Sequence, residues 1–201
     1  MKFIAVFLLI AIVLFSISTK ESTIQPLNPQ DSILAFGDSL TYGYNANPNE
    51  SYPVILSHLS GHKVINAGIP AETSHDGLRR LPKLLEDDSI KLMILFFGGN
   101  DIIQGLSIQS LKSNLKTMIH MAKEKGIEVL LISVPNLSLF GFSPLSLYEE
   151  VAEEENIPLL LGMLADIISK PSLKSDQIHP NAKGYKIMAE KIYEKLKEII
   201  L

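Results

Sequence analysis

Ser39, Asp176 and His179 are the residues of this chain whose types and spacing could carry out acyl transfer. Ser39 follows Ile33-Leu34-Ala35-Phe36-Gly37-Asp38, where apolar residues suited to a buried strand run into a glycine-assisted turn. Such a turn holds a hydroxyl at the rim of a sheet, where a ligand can reach it. A serine alone is more often a helix cap or a solvated loop residue. The far end of the chain changes that weighing, because Asp176-Gln177-Ile178-His179-Pro180 sets an acid and an imidazole three residues apart before a new helix. If that segment folds back over Ser39, the chain has a nucleophile, a base and an orienting carboxylate. One turn of chain could fix both groups, with Pro180 expected at the first position of the following helix. A developing oxyanion also needs donors. The Ser39 N–H is one, and the Asn100 amide, carried past a strand by Gly98-Gly99, is a second, although Gly-Gly-Asn-Asp is also a common turn sequence. Asp38 is expected to fix the turn, and His58, His62, His75 and His120 to sit on solvated faces.

Five short apolar runs must position these groups: Ile33–Phe36, Val64–Asn66, Leu92–Phe97, Glu128–Val134 and Pro158–Leu161. Helix-compatible segments lie between them, at Tyr52–Leu59, Asp76–Leu85, Ile108–Lys125 and Leu147–Glu155, and a last one runs from Asn181 to Ile200. Ile108, Leu111, Leu115, Met118 and Ala122 share one helical face that ends at Gly126, a natural C′ residue. Pro82 should start, kink or split the helix around it. Strands apolar throughout, alternating with helices, predict an α/β protein with a five-stranded parallel sheet buried on both faces. Right-handed crossovers favour the flavodoxin-like order 2-1-3-4-5, whose ligands bind beyond the carboxyl ends of the strands. Ser39, the Gly68–Ala71 stretch and Asn100 follow strands 1, 2 and 3, and so converge on one crevice.

The chain has 201 residues, 46% hydrophobic and 20% charged, an ordinary globular composition. Residues 3–17 carry no charge, within the signal-peptide range and short for a membrane span. Ser16-Ile17-Ser18 offers a cleavage pattern, so residues 1–18 read as a signal peptide or an N-terminal anchor, 19–30 as a tether and 31–201 as one domain. The expected location is secreted or periplasmic, or the inner membrane if the anchor stays. Without cysteine there is neither acylation nor a disulfide. A net charge of −4 without a basic cluster argues against nucleic acid as partner. No motif for a metal or a phosphate-bearing cofactor is present, so no cofactor is expected.

Three of these stretches also carry a resemblance. Gly37-Asp38-Ser39-Leu40, Gly98-Gly99-Asn100-Asp101 and Asp176-x-x-His179-Pro180 resemble, in order, the blocks of the GDSL or SGNH serine hydrolases, and most closely the bacterial thioesterase/lysophospholipase/arylesterase subgroup. The resemblance runs from about Asp31 to the end of the chain. It implies the three-layer SGNH fold and a monomeric ester or thioester hydrolase. Its substrates would be lysophospholipid, fatty acyl thioester or aryl ester in type, with membrane-lipid contact expected. The family commonly has glycine as a third oxyanion donor within a stretch like Asn66–Ser74. Ala71 takes that place here, with Gly68 three residues earlier as the alternative. A backbone N–H survives the change to alanine, but a positive φ at that position would make alanine costly.

Two other functions are compatible with this scaffold, a carbohydrate O-deacetylase and a flavodoxin-like binding module for FMN or a lipid. The absence of Trp weighs against a sugar cleft, and a binding module would make Ser39, Asn100 and His179 coincidental. After the fourth strand, Pro135–Pro144 holds Leu137, Leu139, Phe140 and Phe142 at the same edge as Ser39. Those side chains either pack into the core beneath the loop or line a groove for a fatty acyl group.

Overall fold

The structure, a computed structural model, describes residues 23–138, 141–143 and 145–200, the side chains of 137, 138 and 141–143 excepted. Its frame is a parallel sheet of β1 (Ser32–Gly37), β2 (Lys63–Gly68), β3 (Ile90–Phe96), β4 (Glu128–Ile132) and β7 (Leu159–Leu160). The order is β2-β1-β3-β4-β7, the expected five-stranded topology. β1 is buried along its whole length and β3 nearly so, as apolar residues on both faces require. β2 lies at an edge and is half solvated. In register, Gly37 stands beside Gly68 and Phe96, so three strands end level under the site.

Helices cover both faces. α2 (Tyr52–Ser60), α7 (Met163–Ile168) and α8 (Ala182–Ile199) pack together, and α3 (Ser74–Leu84), α5 (Ile108–Glu124) and α6 (Ser146–Glu155) form the other layer. The apolar stripe of α8 (Tyr185, Met188, Ile192, Leu196, Ile199) is buried, as are Leu111, Leu115, Met118 and Ala122 of α5. Ile108, expected with them, is 43% exposed, because the first residue of α5 projects past the core. Gly126 takes φ 68° and its N–H reaches the Lys123 carbonyl, closing α5 as its position predicts. Pro82 neither starts nor splits a helix. It sits inside α3, which stops two residues later.

Residues 23–30, read as a tether, are instead partly packed onto the fold. Ile24 is buried and its N–H donates to Ile199 at 2.8 Å, bridging the first described residues to the end of α8. An apolar residue with a strand-like partner outweighs the polar composition around it. Among the described residues, no helix is long and apolar enough to cross a membrane.

Candidate active site

Ser39 opens α1 (Ser39–Tyr42), one turn of helix directly after β1. Asp38 caps it, accepting from the Leu40 N–H at 3.0 Å, and Gly43 ends it at φ 90°. Ser39 Oγ lies 2.9 Å from His179 Nε2, across 140 residues of sequence. His179 Nδ1 is 2.8 Å from Asp176 Oδ2, while Asp176 Oδ1 accepts the N–H groups of His179 at 2.8 Å and Ile178 at 2.9 Å. The Ser175 N–H closes this loop on the His179 carbonyl at 2.9 Å. Burial pushes the Asp176 carboxyl up, but the Ile178 N–H, the His179 ring and the His179 N–H favour its charged form and hold it below its ordinary value.

Pro180 is not the first residue of the last helix. Asn181 is the cap, its side chain accepting from the Gly184 N–H at 3.1 Å, and Pro180 precedes it in a bridge with Lys174. The capping amide outranks the proline preference because it satisfies a helix N–H that proline cannot.

Asn100 stands second in α4 (Gly99–Ile103), on the turn after β3. Its Nδ2 donates to the Glu72 carbonyl at 2.8 Å and to Asp38 Oδ2 at 3.2 Å. Two acceptors on one side fix which way the amide points. Gly98 makes the turn possible, with φ 125° and the Tyr148 hydroxyl 2.1 Å from where a Cβ would be. Asp38 is fully enclosed. Burial pushes its pKa up to about 7 against the Leu40 N–H, and the charges of Asp101 and Glu72 add to the rise.

Between β2 and α3 the chain turns at Ile69–Glu72, closed by the Glu72 N–H on the Ile69 carbonyl at 3.3 Å. Pro70 stands second and Ala71 third with φ 66°, the arrangement of a type II turn, whose third residue is normally Gly or Asn. Alanine therefore sits at a positive φ, the case in which it is costly. Among the described residues, nothing accepts the N–H of Ala71 or of Ser39, whereas the Gly68 N–H is taken by Asn66 Oδ1 at 3.0 Å. Arg80 braces the turn, giving its Nε to Glu72 Oε1 at 2.7 Å and Nη2 to the Ala67 carbonyl at 2.8 Å, with its guanidinium over the Phe36 ring.

A pocket opens beside Ser39, Asn100 and His179, with apolar walls from Ile103, Val134, Pro135, Leu164, Ile168 and Ile178. Of these only Pro135 lies in the expected loop. Ile103 ends α4, Val134 follows β4, Leu164 and Ile168 come from α7 and Ile178 from between the two acid–base residues, and no local pattern marks them. Leu137 and Phe142 are opposite one another in a hairpin of β5 (Asn136–Ser138) and β6 (Gly141–Ser143). Their side chains, with Leu139 and Phe140, lie outside the described residues. His58, His75 and His120 are exposed as expected, but His62 is half-buried, its Nδ1 3.3 Å from the Asp31 carbonyl.

The GDSL-like Lipase/Acylhydrolase family matches residues 35–187. A Thioesterase 1/protease 1/lysophospholipase L1 from Escherichia coli K12 is 30% identical over 179 residues, 85% of each chain. An arylesterase from Vibrio mimicus is 30% identical over 83% of this chain and 88% of its own. The solved structure of the psychrotrophic esterase EstA from Pseudoalteromonas sp. superposes with a TM-score of 0.75 at 26% identity, covering 84% of this chain and 97% of that one. The order of the blocks, the sheet and these relatives together establish that the chain belongs to the GDSL-like lipase/acylhydrolase family and is a serine ester hydrolase.

Proposed function

We propose that the chain hydrolyses carboxylic esters and thioesters of medium-length to fatty acyl groups through an acyl-enzyme on Ser39. The observation that carries this reading is a continuous relay, Asp176 to His179 to Ser39, opening into an apolar pocket. With the His179 Nδ1–H donating to Asp176, the Nε2 lone pair faces Ser39 and takes its proton as Oγ attacks the carbonyl carbon. The protonated imidazole then gives that proton to the leaving alcohol or thiol. A water then enters and attacks the acyl carbon as it loses a proton to His179, which returns that proton to Ser39 Oγ as the acid leaves. Among the described residues the N–H groups of Ser39 and Ala71 meet no acceptor and suit the oxyanion, while that of Gly68 is already engaged. Asn100 contributes through the hydrogen it now gives to Asp38, the longer of its two bonds.

Lipid contact is part of the same reading. Among the described residues, all the exposed large apolar side chains except Leu59 follow the carboxyl ends of strands, including Tyr44, Ile69, Ile103, Leu106 and Leu161. Ile103 among them lines the pocket itself, as a substrate drawn from lipid would favour. Residues 1–18 act here as an export signal, with the protein secreted or periplasmic; N-terminal sequencing of the exported chain distinguishes removal from retention.

Labelling by a fluorophosphonate probe, together with a p-nitrophenyl ester series, tests the reading. The parent should label at Ser39, with kcat/KM rising from acetate to around hexanoate or octanoate. No labelling would overturn serine catalysis, and a maximum at acetate would replace fatty acyl groups with acetyl ones and favour a deacetylase.

A further inference from the structure

Asp176 is held by four donors, two on each oxygen. Three come from its own loop: the N–H groups of Ile178 and His179 on Oδ1, and His179 Nδ1 on Oδ2. The fourth is Asn45, whose Nδ2 reaches Oδ2 at 2.9 Å and Ser175 Oγ at 3.3 Å. It comes from 131 residues away and only six residues after Ser39. Four donors fill the acceptor positions of a carboxylate and fix its rotation. Among the described residues, Asn45 is the one donor to this carboxylate from another segment.

The turn that presents Asn45 is built firmly. It spans Gly43–Ala46, closed by the Ala46 N–H on the Gly43 carbonyl at 3.1 Å, with Asn45 third at φ 62°. The buried Tyr185 hydroxyl donates to the Tyr44 carbonyl at 3.0 Å, pinning the turn to α8. The Tyr44 ring packs on His179 with centroids 4.7 Å apart. Glycine would satisfy that backbone at least as well as asparagine. The amide therefore supplies something the turn itself does not need.

We propose that Asn45 is a positioning residue, tying the loop that carries Asp176 and His179 to the segment that carries Ser39 so that the imidazole stays in line with the hydroxyl. The inference rests on the triad reading above. Without the Asn45 bond, Oδ2 answers to His179 alone, and the acid–base loop can drift from the nucleophile while each local bond survives. Asp176, His179, Tyr44 and Tyr185 are the titratable groups facing this junction.

Two variants separate positioning from a turn requirement. Asn45→Gly keeps the backbone and removes the amide. It should retain or raise Tm while kcat on p-nitrophenyl butyrate falls about 3–10-fold and KM changes less than twofold, the scale of one solvated, charge-assisted bond. Asn45→Asp keeps the shape but sets a carboxylate against Asp176. Its loss should be larger at pH 8 and its rate relative to the parent should recover toward pH 5, as the new carboxyl gains a proton and donates again. Full activity in Asn45→Gly, or an Asn45→Asp ratio flat with pH, would overturn the proposal. An inactive parent that does not label would defeat the triad reading itself, so the two failures are distinguishable.

Discussion

Asn100 and Asp38 share a hydrogen bond of 3.2 Å inside the site, and the carboxyl at its end holds a proton far above the usual carboxylate range. Because the folded pKa of Asp38, about 7, lies above its ordinary 3.8, folding favours the protonated form. That stability is fully present below about pH 4 and is lost as pH rises through 7. Asp38→Asn keeps a cap acceptor and removes the titration. Urea midpoints of parent and variant measured from pH 4 to 8 should draw together or cross as pH rises; parallel curves would mean that Asp38 titrates normally.

Asn100→Ala should lower kcat by about 10²–10³ with KM little changed, the scale for one oxyanion donor. A raised KM with kcat intact would make Asn100 a substrate-positioning or structural residue.

Ser39→Ala and His179→Ala should each remove nearly all turnover, and the double variant should be no worse than either, because the pair acts as one unit. Asp176→Asn should cost less. Rates that multiply in the double variant would sink the triad.

Ala71→Gly relieves a left-handed alanine that costs about 1–2 kcal/mol, less about 0.4–1 kcal/mol of added freedom in the unfolded chain. A net gain of between about 0 and 1.6 kcal/mol in urea unfolding is expected, with kcat within twofold because the N–H remains. A loss of stability would mean that the methyl group makes contacts outweighing the strain.

Ile103, half exposed at the pocket, should matter for long acyl groups and little for short ones. Each buried methylene contributes at most about 0.8 kcal/mol, or roughly fourfold in kcat/KM. Ile103→Ser should flatten the rise from acetate to octanoate while acetate hydrolysis holds; an equal loss on every ester would place Ile103 outside the acyl path.

The sheet was legible because apolar runs and helical segments alternate with little ambiguity, and the order of β1, β2 and β3 then gathers Ser39, Ala71 and Asn100 at one edge. α1 and α4 were not, since four or five residues cannot display helical periodicity. The strain at Ala71 was only half visible. Pro70 signals a turn, but nothing in an alanine announces a positive φ. Asn45 escaped for a different reason, as an asparagine in a Gly-Tyr-Asn turn looks sufficient as turn chemistry until its amide is seen to reach across to Asp176. The pocket walls come from segments with no sequence relation, so only the fold reveals them.

The bridge between Ile24 and Ile200 has a practical consequence for handling the protein. α8 starts just after His179 and runs 18 residues, so it carries the chain about 27 Å from the catalytic edge before meeting Ile24. A bead, surface or fusion partner attached near residue 24 or 200 therefore grips the base of the molecule and leaves the pocket facing solution. The same proximity allows a short peptide to join residues 200 and 24 in a circular permutant opened at the exposed Asp87-Asp88 turn, with every catalytic segment left uncut.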